Sequence, residues 1–163
     1  MILLGLGANL PSSMGPPLAT LEAALARLQS AGVTLVALSR WYRTAPVPAS
    51  DQPWFINAVA RVETRLAPLA LLAVLHDIER SFGRRRTTPN AARTLDLDIL
   101  DYDGQVMHTA ELVLPHPRLH QRAFVLLPLR DVAPDWRHPV LGETISTLIA
   151  KLSADQIALP FEP

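Results

Sequence analysis

Three patterns in the chain predict an α+β fold. Short runs that are apolar, or that alternate with a period of two, read as strands. Two longer segments repeat apolar residues at helical spacing. Their order over about the first hundred residues is β-α-β-β-α-β, the split βαβ pattern of a ferredoxin-like core. Such a core is an antiparallel sheet with its helices on one face. The last third reads as a C-terminal hairpin and helical extension, and the 163 residues together as a single domain, 1–163.

The first strand is the apolar run Ile2 to Leu6, ended by Gly7. Pro16 and Pro17 open a helix, in which Leu18, Leu21, Leu25 and Leu28 form the stripe and Gly32 is the stop. Val33 to Tyr42, rich in β-branched and aromatic residues, reads as a second strand, followed by the proline-broken loop RTAPVPASDQP. From Trp54 to Glu63 the period is two. Trp54, Ile56, Ala58, Ala60 and Val62 share one face; Phe55, Asn57, Arg61 and Glu63 share the other. Pro68 opens the second helix, with Leu71, Leu75, Ile78 and Phe82 inward and Gly83 at the C-cap position. His76 and Glu79 fall off that stripe, which suits a solvent-facing or ligand-rim position. The strand RTLDLDIL ends at Asp103-Gly104, a type I′ hairpin signal. Short helices are expected near Arg118–Leu127 and Glu143–Leu152.

Composition narrows the function. Lysine plus arginine number 15 and aspartate plus glutamate 15, so the formal net charge is zero and gives no general attraction for nucleic acid or an acidic membrane. There is no cysteine, which excludes disulfides and thiolate chemistry and suits the cytoplasm. The N-terminal MILLGLGANLP lacks a basic leader, and LAPLALLAVLH is too short to span a bilayer.

The informative segment is RTLDLDIL. With Leu95, Leu97 and Ile99 facing the helices, Asp96 and Asp98 face the open side of the sheet, roughly 7 Å apart. Such a triplet alone is the ordinary solvated face of a strand. Two close carboxylates also suit magnesium, which takes one or two protein carboxylates and fills its shell with water and phosphate oxygens. Arg84, Arg85, Arg86 and Arg93 flank the loop leading into this strand, and guanidinium forks bind phosphate. Acids for a metal beside bases for phosphate are two halves of a phosphoryl-transfer site. Asp101 and Asp103 have the opposite parity and read as turn residues. Phe55 beside Asn57 can stack on and hydrogen-bond a flat heteroaromatic, with Phe124 as a second wall. His116 and His120 are four apart, but Pro115 and Pro117 bracket His116, which disfavours a helical zinc pair.

These residues resemble a known family. GLGANL, WYRTAPV, DQPWFINAV, IERSFGR, RTLDLDIL, LPHPRLHQRAFVLLPL and DVAPDW together resemble the 6-hydroxymethyl-7,8-dihydropterin pyrophosphokinases of folate biosynthesis, over nearly the whole chain. The resemblance implies transfer of the pyrophosphoryl group of ATP to 6-hydroxymethyl-7,8-dihydropterin, with release of AMP. It implies two magnesium ions on Asp96 and Asp98, with Arg84 and Arg93 completing the catalytic set. ATP and its phosphates would meet Glu79, Arg84, Arg86, Arg93, Ile99, His116 and Arg122. The pterin would stack between Phe55 and Phe124, its polar edge read by Asn57 and by backbone around Thr44, Ala45 and Val47. Loops 45–53 and 84–92 would close over the substrates. Asn90-Ala91-Ala92 stands where many relatives carry Trp-Gly-Pro, and His76 where glutamine is frequent. A monomer is expected, without nucleic acid or membrane. The competing reading is a non-catalytic ferredoxin-like module that binds a nucleotide or RNA. An RNA-binding sheet, however, needs exposed aromatics and a basic face where this strand presents acids.

Overall fold

The structure is a computed structural model that describes residues 1–83 and 92–163. Its strands are β1 (Ile2–Ala8), β2 (Thr34–Leu38), β3 (Trp41–Thr44), β4 (Phe55–Glu63), β5 (Asp96–Tyr102), β6 (Met107–His108), β7 (Val113–Leu114) and β8 (Ala158–Phe161). Its α-helices are α1 (Pro17–Ser30), α2 (Pro68–Ser81), α3 (Ala123–Val132) and α4 (Ile145–Ala150). The main sheet runs β5-β1-β4-β3-β8, with β2 also on β4, and β6 pairs with β7. The pairings in the main sheet are antiparallel. The βαββαβ core is therefore present, with α1 and α2 on one face.

Two apolar layers sandwich the sheet. Beneath it, Leu4, Leu6, Ala58, Ala60, Leu97 and Ile99 meet Leu21, Leu28, Leu71 and Leu75 of α1 and α2. Above it, Leu3, Val59 and Leu100 meet Leu126 and Leu129 of α3, Leu148 of α4, and Trp136. The extension thus covers part of the second face and leaves the rest for a site.

Several elements differ from the expectation. The strand expected over Val33–Tyr42 is two strands, because Ser39 interrupts it. Its hydroxyl accepts the Val59 N–H at 2.9 Å and donates to the Arg40 carbonyl at 2.7 Å, replacing a main-chain ladder step. Trp54 is not on the inner face; it precedes β4 and is 42% exposed. The helix expected over Arg118–Leu127 is a single 3-10 turn, Leu119–Gln121, then α3, separated by Arg122 in extended conformation. Pro128 does not end α3, which runs through it. Asp103 and Gly104 do take positive φ of 52° and 70°, as a type I′ turn requires. The strand that follows, however, pairs with β7 and not with β5. Strand β8, on the outer edge of β3, had no expected counterpart; Pro160 is tolerated there because an edge strand leaves one side unpaired.

Candidate active site

The open face is organised by three strands. The register sets Gly5 opposite Asp98 and Gly7 opposite Asp96 on one side of β1, and Gly7 opposite Asn57 on the other. Leu95, Leu97 and Ile99 are at most 2% exposed, in the layer beneath, so Asp96 and Asp98 emerge together above. The two glycines let the Asn57 amide and the Leu100 side chain pack over β1 beside the two acids.

Two adjoining clefts share this face. One is lined by Thr44, Ala45, Val47, Gln52, Phe55, Asn57, Arg93, Asp96, Arg122 and Phe124. The other holds Gly5, Gly7, Asp96, Asp98 and His116, and shares Asn57, Asp96, Arg122 and Phe124 with the first. Phe55 and Phe124 form the apolar sides of the first. Arg122 lies with its guanidinium 5.2 Å from the Phe124 ring centre, a cation–π contact at the junction of the two.

The polar groups are held firmly. Asn57 is buried and donates from Nδ2 to Thr44 Oγ1 at 2.6 Å, which fixes its amide plane. The Ala45 N–H is taken by the Ile157 carbonyl at 3.1 Å, so that amide is not available to a ligand and the polar groups left nearby are carbonyls and Val47. Arg93 Nη1 donates to Asp96 Oδ2 at 2.7 Å. Buried Asn9 ties the segment before β5 to the loop before β4. Its Oδ1 accepts the Arg93 N–H at 2.7 Å, while Nδ2 donates to Gln52 Oε1 and the Pro53 carbonyl, both at 2.9 Å.

Glu79 departs from the solvent-facing expectation. It is 1% exposed, and its Oε2 accepts the Leu97 N–H at 2.9 Å. Because β5 is an edge strand, this amide faces away from β1, and Glu79 supplies the acceptor that a further strand would have given. A third carboxylate is thereby set behind Asp96 and Asp98. Ile99 packs against the helices at 2% exposure, so a nucleotide could reach only its main chain. Asp101 does serve the turn, since its Oδ1 accepts the Gly104 N–H at 2.9 Å, but it sits within β5. A bulge opposite Leu3 and Leu4 adds Leu100 to β5 and swings Asp101 to the upper face, where it is 4% exposed and accepts the Trp136 indole N–H at 2.7 Å.

His116 lines the acid cleft, and its Nδ1 accepts the Arg118 N–H at 3.3 Å. Burial, then the Arg122 charge, pushes its pKa down to about 4, although Asp96 pulls the other way. His116 is therefore neutral near pH 7, with Nε2 carrying the proton. Burial likewise lowers the Arg122 pKa, and Arg118 adds to it; the guanidinium nonetheless stays charged.

Arg84, Arg85, Arg86, Asn90 and Ala91 lie outside the described residues. Among the described residues no group of three His, Cys, Asp or Glu side chains converges as metal ligands. The Asp96–Asp98 pair is of the other kind: hard oxygen donors, few in number, opening on a cleft with room for waters and phosphate oxygens. It fits magnesium. Asn9, Gln52 and the Gly5–Gly7 pair were not singled out for the site from the sequence. The glycines carried a signal, two residues apart on a strand like the acids they face. Gln52, in a loop, carried none.

The open sheet face thus carries an aromatic-lined cleft beside paired acids and arginines. The comparisons with known proteins name a family. The model of the family described as 7,8-dihydro-6-hydroxymethylpterin-pyrophosphokinase matches residues 3–134. The chain is 41% identical over 155 residues to the 2-amino-4-hydroxy-6-hydroxymethyldihydropteridine pyrophosphokinase of Methylorubrum extorquens, covering 94% of each. It is 39% identical to the protein of the same name from Haemophilus influenzae, covering 94% of this chain and 96% of that one. The Plasmodium falciparum HPPK-DHPS crystal structure with pteroate superposes with a TM-score of 0.73 at 17% identity, covering 92% of this chain and 44% of that one. That last likeness speaks for the fold alone. The chain belongs to the 7,8-dihydro-6-hydroxymethylpterin-pyrophosphokinase family.

Proposed function

We infer that this chain transfers the pyrophosphoryl group of ATP to 6-hydroxymethyl-7,8-dihydropterin, forming the pterin diphosphate and AMP in folate biosynthesis. The observation that carries the reading is the pair of clefts meeting at Asn57, Asp96, Arg122 and Phe124, in a member of this family. The comparisons give no support to a non-catalytic nucleotide- or RNA-binding module.

The pterin lies between Phe55 and Phe124, and its polar edge meets Asn57 and the main chain from Thr44 through Ala45 to Val47. The Thr44 hydroxyl pins Nδ2 of Asn57 and leaves Oδ1 to accept from the ring. The triphosphate lies over Asp96 and Asp98, bordered by His116 and Arg122 and by Arg93, which bonds Asp96; Glu79 is assigned to the nucleotide from its motif position. Asp96 and Asp98 would hold magnesium, as two ions, and magnesium there would neutralise phosphate charge and make the hydroxymethyl oxygen more acidic. Arg93, oriented by its bond to Asp96 and by the Asn9 clamp on its N–H, sits where it can meet charge that builds on the transferring group. Neutral His116 offers Nε2–H as a donor without adding a proton equilibrium near pH 7. Arg122, stacked on Phe124, adds a cation at the boundary between the substrates, where the reacting atoms meet. Arg84 joins Arg93 in this role and Arg86 contacts phosphate; both are assigned from their motif positions. Loop 45–53 closes to exclude water, and residues 84–92, most of them outside the described residues, are assigned to the same task from the family resemblance.

We also take residues 1–163 as one pyrophosphokinase domain, a monomer in the cytoplasm that works on small molecules and engages neither nucleic acid nor membrane. One sheet with continuous apolar layers on both faces supports the first. Among the described residues no helix is long and apolar enough to cross a membrane.

Calorimetry with a non-hydrolysable ATP analogue tests the reading. Nucleotide should bind only with magnesium, and 6-hydroxymethylpterin should bind more tightly once nucleotide is present. Binding of the analogue unchanged by chelation of the metal would overturn it.

A further inference from the structure

The last residues of the chain lie beyond the 3–134 family match, yet they touch both sides of the flat slot. Gln156 is half-buried. Its Oε1 accepts the Ala123 N–H at 2.8 Å, and its Nε2 donates to the Gln121 carbonyl at 2.8 Å and to Ser153 Oγ at 3.2 Å. One residue on, the Ile157 carbonyl accepts the Ala45 N–H at 3.1 Å. Ala158 then pairs opposite Thr44 as β8 begins.

Helix α3 needs this help. Its N-cap residue is Arg122, which makes no side-chain capping bond. A guanidinium has no acceptor to offer the free N–H groups of a first turn. Gln156 supplies that acceptor from 33 residues away. The residues it grips, Gln121 and Ala123, bracket Arg122 and immediately precede Phe124. Two consecutive residues of the tail therefore hold the Arg122–Phe124 wall on one side and the Thr44–Ala45 wall on the other.

We propose that Gln156 is a positioning residue for the pterin, and that the segment from Gln156 to β8 is a strap that sets the spacing of the slot. Stacking depends steeply on that spacing, since a gap of about 0.5–1 Å already forfeits a quarter to a half of the attraction between facing atoms. The proposal rests on the reading of this slot as the pterin site.

The test is titration of 6-hydroxymethylpterin, with the ATP analogue and magnesium present, into the full chain and its variants. Gln156→Ala should weaken pterin binding about five- to tenfold, the scale of a lost helix cap. Nucleotide affinity should stay within about twofold, with Tm lowered by no more than a lost cap costs, about 2–4 °C. Gln156→Glu keeps the acceptor for Ala123 but sets a carboxylate oxygen against the Gln121 carbonyl, so it should recover only part of the loss. Phe124→Ala is the control for the site itself. If Phe124→Ala binds pterin as the native chain does, the slot is not the pterin site, and reading and proposal both fall. If Phe124→Ala loses pterin while Gln156→Ala binds normally, only the strap is overturned. A parallel loss of pterin, nucleotide and Tm, not restored by Gln156→Glu, overturns it too.

Discussion

Gly7 and Asn57 face each other across adjacent strands, and the Asn57 amide fills the room a side chain would need. A Cβ on Gly7 would stand 2.5 Å from Asn57 Oδ1. Gly7→Ala should therefore turn or displace that amide while leaving the strand intact. Pterin affinity should drop about tenfold or more, the scale of one lost hydrogen bond in a desolvated slot, with nucleotide affinity nearly unchanged. Unaltered pterin binding by calorimetry would contradict the assignment of Asn57. At this scale the acids were legible, since alternation with Leu95, Leu97 and Ile99 places Asp96 and Asp98 on one face whatever the neighbouring strands do. Glu79 was not. Its burial depends on where α2 crosses the edge of β5, and helical spacing says only that it lies off the apolar stripe.

Among the elements, the bulge in β5 shows how one inserted residue changes a side chain's role. Before Leu100, parity reads correctly; after it, Asp101 turns to the upper face and receives the Trp136 indole. The bond fastens the segment after α3 to the sheet. Trp136→Phe keeps an aromatic ring but removes the donor and part of the buried indole, leaving a buried carboxylate oxygen without its partner. The expected cost is about 1–3 kcal/mol in denaturant unfolding. No change would mean the contact carries nothing. Regular elements with long apolar stripes, α1, α2 and β4 beyond Trp54, were readable from spacing. Those decided by one side chain were not: the Ser39 interruption replaces a ladder bond with a hydroxyl, and α3 survives Pro128 because Leu126 and Leu129, before and after it, are packed against the sheet. Both are fully buried, and that outweighs the lost helical bond.

For the whole molecule, the strand order follows from the β-α-β-β-α-β sequence, because a split βαβ places the first strand between the third and the last. What could not be read is how the C-terminal third folds back. Its helices cover one end of the upper face, over Leu3, Val59 and Leu100, and its last strand closes the edge at β3, so that the clefts remain at the other end. That closure depends on contacts between residues far apart in the chain, such as Gln156 with Ala123, which no local pattern encodes. The face left open holds Asp96 and Asp98, the acids around which the inferred reaction takes place. Pterin-dependent AMP formation from ATP and magnesium by Asp98→Ala should fall to near background, in a chain that unfolds at about the native temperature. AMP released at a rate close to that of the unaltered chain would show that these acids do not carry the reaction.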